Sequence, residues 1–368
     1  PPAWSHSSCV SSSARCPIPL ADRSTRGRRE FEDHVGTHHR PLNRQDVIRF
    51  VHRLAGWPAL SPRSAFTGQR AKQHAQDTIR GARLSHPRRR HPHRQGHNGP
   101  PPHLFAFTSI DVPGAAFTSA QGINPQGDVV GIYGSSGRTH GFLFSEGEFT
   151  SIDYPGAAYT DARGINGRGE IVGAYRMPGE PPVNFHGYLL TREGEFVPVD
   201  FPGHTNTIPQ RITSQGLILG CRHDTDLMAT MRGVALNGRN LAEVDEVDAF
   251  ASMHNGATAN GGLIVGLFTD MDTMRGRGYL LEGDTFTPFD VPGSTFTAGW
   301  DINPGGNIVG VYRDPAGRFH GFLWVGDEFL SIDFPGAIAT RAFGINPGSD
   351  VVGTYVDAAG RPHGFLAT

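Results

Sequence analysis

Six times along the C-terminal part of this 368-residue sequence a histidine or arginine can be matched with an aspartate. The pairs are His140 with Asp153, His186 with Asp200, Arg232 with Asp245, Arg277 with Asp290, His320 with Asp333, and His363 with Asp111. Imidazole and carboxylate held together could ligate a metal or move protons. Two features speak against both. Exchange of His for Arg preserves donation to a carboxylate but destroys metal ligation, and a catalytic centre is a single constellation, whereas these pairs are equivalent. The pattern therefore predicts structural braces: each aspartate accepts hydrogen bonds from its His or Arg and from amides of the Pro-Gly turn that comes next in the chain. Buried polar groups need such partners in every unit. A threonine that recurs at Thr118, Thr160, Thr207, Thr297 and Thr340 is expected in the same network.

The pairs mark a repeat. The aspartates are spaced by 42, 47, 45, 45 and 43 residues, and a glycine comes twenty residues after most of them: Gly131, Gly173, Gly220, Gly310 and Gly353, with Gly266 one residue late. A period of 40–50 residues signals an array, a solenoid or a propeller. Each copy holds four strand-like pieces, named here A ("TSAQGIN"), B ("DVVGIY"), C ("HGFLF") and D ("FTSID"). Turn sequences such as "NPQG", "NPGG" and "SEGE" join A to B and C to D, so the pieces form an antiparallel meander. The asparagine opening the A–B turn (Asn124, Asn166, Asn303, Asn346) suits a left-handed backbone and bonds to its own turn amides. Longer "VPGAAF"-type joints carry the chain from D of one copy to A of the next.

The domain begins with a lone D piece, Phe107–Asp111, and ends with a lone C piece, His363–Leu366. Pairing these two closes a ring and hides an open sheet edge. The expected fold is therefore all-β: a six-bladed β-propeller of four-stranded antiparallel blades, closed by pairing of an N-terminal strand with the C-terminal blade. An open solenoid gives no reason for this phase.

The pattern GIN..G.IVG.Y....G..HGFL resembles the HAF-type repeat of predicted extracellular bacterial proteins, named for a similar His-aromatic triplet. The resemblance covers residues 107–366, while copies 3 and 4 lose GIN and HG. It implies an extracellular or cell-envelope setting and no particular activity.

Function in a repeat protein is sought where the repeat breaks. The B–C loops differ most, and two of them carry D-x-D pairs, Asp224 with Asp226 and Asp270 with Asp272. Such pairs could hold a hard cation, but no EF-hand ligands accompany them, and solvated loop carboxylates are the ordinary reading. A second variable set sits along strand A: Asp161, Arg163, His254, Trp300, Arg341 and Phe343. A mixed aromatic and charged rim of this kind suits a glycan or a peptide. No P-loop, nucleophile elbow, Rossmann fingerprint or HExxH occurs. No cofactor is called for.

Three readings are open: a non-catalytic binding propeller, a polysaccharide hydrolase or lyase in the central depression, and an adhesive protein without a discrete pocket. The enzyme needs two carboxylates about 5–10 Å apart, or a carboxylate beside an activated Tyr, and clustering of acids outside the repeat such as Asp161, Asp224 and Asp270 at one axial pocket would favour it.

Charge divides the chain. Residues 1–103 hold 18 of the 33 Lys+Arg and 6 of the 35 Asp+Glu, leaving 15 and 29 for residues 104–368, a net of −14. The first segment is Arg/His/Pro-rich and reads as disordered and basic, or as sequence upstream of the true start. A basic arm could bind nucleic acid or acidic lipid, although one short amphipathic stretch, Val47 to Leu54, is its only apolar periodicity. No apolar run approaches the ~20 residues of a spanning helix, and no signal peptide is visible. One thiol, Cys221, in the last 265 residues excludes a disulfide framework there. A monomer is expected, with nucleic acid not expected as a partner.

Overall fold

The structure is a computed structural model that describes residues 105–224, 230–237, 240–244, 249–283 and 285–368. The basic segment and its amphipathic stretch lie outside the described residues, as do Asp226 and Asp245.

The described residues form an all-β propeller of antiparallel sheets. Copy 3 is one four-stranded sheet (Asn206–Ile212, Ile218–His223, Arg232–Asn237, Asn240–Val244). Copy 4 is another (Ala249–Ala257, Leu263–Asp270, Gly276–Glu282, Thr285–Phe289), and copy 5 a third (Phe296–Ile302, Ile308–Arg313, Phe319–Val325, Glu328–Ile332). In each the strand order is the chain order.

The sixth copy supplies Ala339–Ile345, Val351–Val356 and Pro362–Ala367, and takes its fourth strand, Phe107–Ile110, from the start of the domain. There Ser109 lies opposite Phe365, and the amides of Ala106 and Thr368 bond each other's carbonyls at 2.9 and 3.0 Å.

The expectation of six separate sheets is not met. Copies 1 and 2 belong to one nine-stranded sheet. Their two meanders meet through a single parallel pairing, Thr139 opposite Tyr159, where the start of strand A of copy 2 lies beside strand C of copy 1. That same inner strand is split into Tyr159–Thr160 and Gly164–Ile165.

One contact explains the repeated "IVG". A Cβ built on Gly131, Gly173, Gly220, Gly266, Gly310 or Gly353 would lie 2.0–2.1 Å from a carbonyl oxygen of strand A: Ser119, Asp161, Ile208, Met253, Ala298 and Arg341 respectively. No side chain fits there. In five copies an aromatic ring from strand C covers the space instead: Phe142, Tyr188, Tyr279, Phe322 and Phe365, all 0 % exposed. In copy 3 Val234 stands opposite the glycine.

The turns behave as expected with one change. Asn124 Oδ1 accepts the amides of Gln126 and Asp128 at 3.0 and 2.9 Å, and Asn303 accepts those of Gly305 and Asn307. The left-handed residue is not the asparagine but the third after it: Gly127, Gly169, Gly306 and Ser349. The Asn side chain replaces a missing turn amide partner, so its own backbone need not be left-handed.

The recurring threonine holds the D-to-A joint. Its Oγ1 accepts the amide of the residue after each anchor aspartate: Val112, Tyr154, Phe201, Val291 and Phe334, at 2.6–3.1 Å. Thr297 is 0 % exposed. Replacing it with valine keeps the shape and orphans a buried amide, which costs about 1–3 kcal/mol. Thermal or urea unfolding of Thr297→Val is expected to show that loss, and a wild-type midpoint would count against this role.

Candidate functional site

Four of the six predicted pairs close to hydrogen-bond distance. His140 Nδ1 is 2.7 Å from Asp153, His320 Nδ1 2.7 Å from Asp333, His363 Nδ1 3.0 Å from Asp111, and Arg277 Nε 2.9 Å from Asp290. His186 stands 3.6 Å from Asp200, an ion-pair contact, while Asp200 takes the Gly187 amide at 3.1 Å. Arg232 lacks a described Asp245. The first amide of the adjoining turn goes to the threonine and not to these aspartates, and the amide that Asp200 accepts belongs to strand C.

The sequence reading missed a second carboxylate. Glu180, Asp314 and Asp357 in the B–C loops lie 3.0–3.3 Å from Nε2 of His186, His320 and His363. Asp270 stands 3.8 Å from Arg277. His186, His320, His363 and Arg277 thus span a D-strand acid and a loop acid, and a tyrosine of strand B packs on each imidazole, that of His140 included: Tyr133, Tyr175, Tyr312 and Tyr355, with centroids 4.9–5.2 Å apart. The legible signal was an acid six or seven residues before the His or Arg. Hydrogen bonds from loop amides and the neighbouring cation hold these acids low: Asp357, with the Arg361 amide as its strongest donor, falls to about 2.

At the ring axis the repeat breaks in a second unpredicted way. The glycine of GIN occupies Gly122, Gly164 and Gly344, with Gly256 at the same place in copy 4. A Cβ on any of the four would lie 2.6–3.1 Å from backbone of the next copy, so successive inner strands touch there. The two remaining positions are Arg211 and Asp301. Their side chains, 9 % and 10 % exposed, meet with Nε 3.2 Å from Oδ2.

The guanidinium also donates to the carbonyls of Arg163, Gln210, Gln121 and Phe343. Asp301 accepts the amides of Ile302 and Ile345 at 3.0 and 3.2 Å. Burial pushes the Asp301 pKa up against the pull of Arg211. One fork-shaped cation ties the inner strands of four copies and pairs with a fifth.

The six residues predicted as a ligand rim separate. Asp161 is 0 % exposed, with Oδ1 on the Ala174 amide and Oδ2 shared by Arg163 and Tyr159. Arg163 also reaches Gln210 of copy 3 at 3.2 Å. Trp300 and Phe343 meet edge to face at 4.9 Å, and Arg341 lies over Phe319 at 4.5 Å.

His254 is not on the rim. It takes the place of Ala120, Ala162 and Ala342, its ring lying over Gly233 of the preceding copy and its Nδ1 bonded to Tyr279. Burial drops its pKa to about 4, so it is neutral at pH 7.

Among the described residues no three His, Cys, Asp or Glu gather to hold a metal. Asp270 turns onto its own loop, accepting Thr273 N and Oγ1, beside an exposed Asp272. Asp224 sits 3.2 Å from His204.

An open cleft of about 720 Å³ lies between copies 4 and 5, on the face that carries the B–C loops. Phe250, Leu267, Met274 and Phe296 give it an apolar lining, with Arg275 and Arg313 among its polar groups.

No family model and no curated protein matches the chain. Among solved structures it is similar to TolB from Acinetobacter baumannii, at 13 % identity over 68 % of this chain and 54 % of that one, with TM-score 0.43. It spans about half the length of that TolB chain. It is also similar to the β-propeller domain of the Trilobed protease from Pyrococcus furiosus (11 %, 68 % and 95 %, TM-score 0.42). A third is Aleuria aurantia lectin in complex with Fucalpha1-6GlcNAc (8 %, 67 % and 91 %, TM-score 0.44). Likeness at these identities and TM-scores says nothing of ligand or activity.

Two outcomes are expected. Arg211→Gly leaves Asp301 buried without its counter-charge and should cost about 3–5 kcal/mol. Arg211→Gly with Asp301→Gly, which restores the glycine of the other copies, should cost less than the two single changes added together. Additive losses in denaturant unfolding would contradict a coupled pair.

The second concerns acid. A carboxylate held below its unfolded pKa adds stability above that pKa and loses it as pH falls through the folded value. For Asp357 that window runs from about 4 to about 2. Wild type and Asp357→Asn should therefore differ in melting midpoint at pH 5 and converge near pH 2, whereas a difference independent of pH would contradict the assignment.

Proposed function

We propose that this chain is a six-bladed, non-catalytic binding propeller of the HAF-repeat type, acting in the cell envelope or outside the cell, and gripping a glycan or protein with its B–C loop face. The count of six treats the nine-stranded sheet as two blades, because one residue pair is all that joins its meanders. Among the described residues no helix is long and apolar enough to cross a membrane.

One observation carries the binding reading over the enzyme. The ionisable groups at the centre are already engaged. Asp161, the acid nearest to a central catalytic role, is fully buried with both oxygens occupied, and Arg211 and Asp301 close the axis on each other. A glycosidase-type mechanism needs two carboxylates free to meet substrate. An open cleft lies between copies 4 and 5. The net charge of −14 over residues 104–368 disfavours nucleic acids and polyanionic glycans.

The full-length chain applied to a glycan array and to a peptide display, then incubated with neutral polysaccharides, tests this. Binding without new reducing ends or unsaturated products is expected. Catalytic release of either would replace this reading with the hydrolase or lyase.

A further inference from the structure

One wall of the cleft includes a position that lacks a side chain. The residue directly before each paired His or Arg is Thr139, Phe185, Met231, Phe319 or Pro362, but in copy 4 it is Gly276. Phe296 of the next copy leans over that glycine. A Cβ at Gly276 would fall 2.5 Å from its ring.

Beside the opening stands the copy 4 B–C loop with Met271 and Met274, 52 % and 58 % exposed. Methionine on a surface is flexible and polarizable, and it adapts to apolar side chains of varied shape. All of the chain's methionines fall between Met177 and Met274.

The polar groups in the cleft are unequal. Arg275 is held by Asp290 at 3.2 Å and by the Ser294 carbonyl at 2.6 Å. Three of the four lining hydroxyls are spent within the fold: Thr273 on Asp270, Ser294 on Thr297, Thr295 on the carbonyls of Arg313 and Asp314, and the fourth, Thr269, is buried. Arg313 is exposed, with its Nε on Thr295 Oγ1 at 3.1 Å, and forms no ion pair among the described residues. The cleft therefore offers an apolar hollow and one uncompensated guanidinium.

We infer that the cleft between copies 4 and 5 binds a peptide segment of a partner protein, seating one large apolar side chain beside Phe250, Leu267 and Phe296 while a nearby carboxylate of the peptide pairs with Arg313. A sugar ring would ask for several free hydrogen-bonding groups, and here three hydroxyls are taken while the fourth, on Thr269, is buried. A volume of about 720 Å³ is sized for a large side chain with its flanking backbone. The carboxylate is set by charge complementarity with Arg313, which forms a bidentate fork with such a group. The inference rests on the binding reading above and narrows it to one partner class and one site.

A random dodecamer peptide library displayed on phage, selected on the immobilised full-length chain, tests it together with the glycan array. The expected enrichment is a large apolar residue with Asp or Glu within three positions. Synthetic versions of those peptides should bind at least tenfold more weakly to Arg313→Glu and to Gly276→Thr, which installs the residue of copy 1 and narrows the hollow. Arg313 is exposed, so its variant keeps the test open if Gly276→Thr does not fold. Enriched basic peptides, or peptides that bind Arg313→Glu as tightly as wild type, overturn the inference. Neutral glycans bound with no peptide enriched overturn it while leaving the binding propeller intact. Neither ligand bound removes both.

Discussion

A carbonyl oxygen of strand A sits where a Cβ on strand B would be, in all six copies. The glycine this forces on strand B lets the inner strand come closer than an ordinary pair, and in five copies that strand bulges one or two residues later, as register breaks at Ala120/Gly122, Pro209/Arg211, His254/Gly256, Gly299/Asp301 and Ala342/Gly344 record. A bulge bends a strand and re-aims the residues beyond it. Here it brings the next residue against its counterpart in the neighbouring copy, so that the inner strands meet around one axis. The aromatic ring over the strand-B glycine in five copies and the Arg211–Asp301 contact both depend on that close approach.

Side-chain charges are then used twice, by one logic. At the axis a single guanidinium serves four carbonyls and a carboxylate, which its planar set of five donors permits and a lysine ammonium would not. Residues 105–368 contain no lysine at all. At the loop face His186, His320, His363 and Arg277 each span two acids, tying the B–C loop to the end of strand D. Arginine at Arg277 meets the same two acids, Asp290 and Asp270, with its guanidinium.

The periodic part of this structure was legible because strands announce themselves by turns and by alternation. The meander order, the ring closure through Phe107–Ile110 and four of the paired side chains could be placed from spacing alone. Contacts between copies were not legible. That strand A of copy 2 would reach back to Thr139 and merge two sheets depends on the shape of a seven-residue inner segment, Tyr159 to Ile165, not on its composition. His254 looked like a rim residue because it is polar; the strand register turns it into the space that alanine fills elsewhere. Arg211 and Asp301 did leave a trace, since opposite charges replace the same glycine in copies 3 and 5, but only alignment of the copies at the bulge exposes it.

Those replacements also bear on where a ligand can go. Propellers offer a central channel and the seams between blades, and this chain has altered glycine in opposite directions at the two. At the axis glycine gives way to Arg211 and Asp301, and the opening is filled by a pair whose separation would leave a charge buried. In the seam between copies 4 and 5 a threonine, methionine, proline or phenylalanine position becomes Gly276, beside the exposed Met271 and Met274. The first change adds contacts across the ring; the second hands the space to a neighbour, because the ring of Phe296 from copy 5 lies over Gly276 where a Cβ would meet it at 2.5 Å. That ring, with Leu267, then lines the cleft. The centre is thus closed by a charged pair, while the seam presents an aromatic face beside an exposed loop, and it is the seam that has apolar surface to offer a partner.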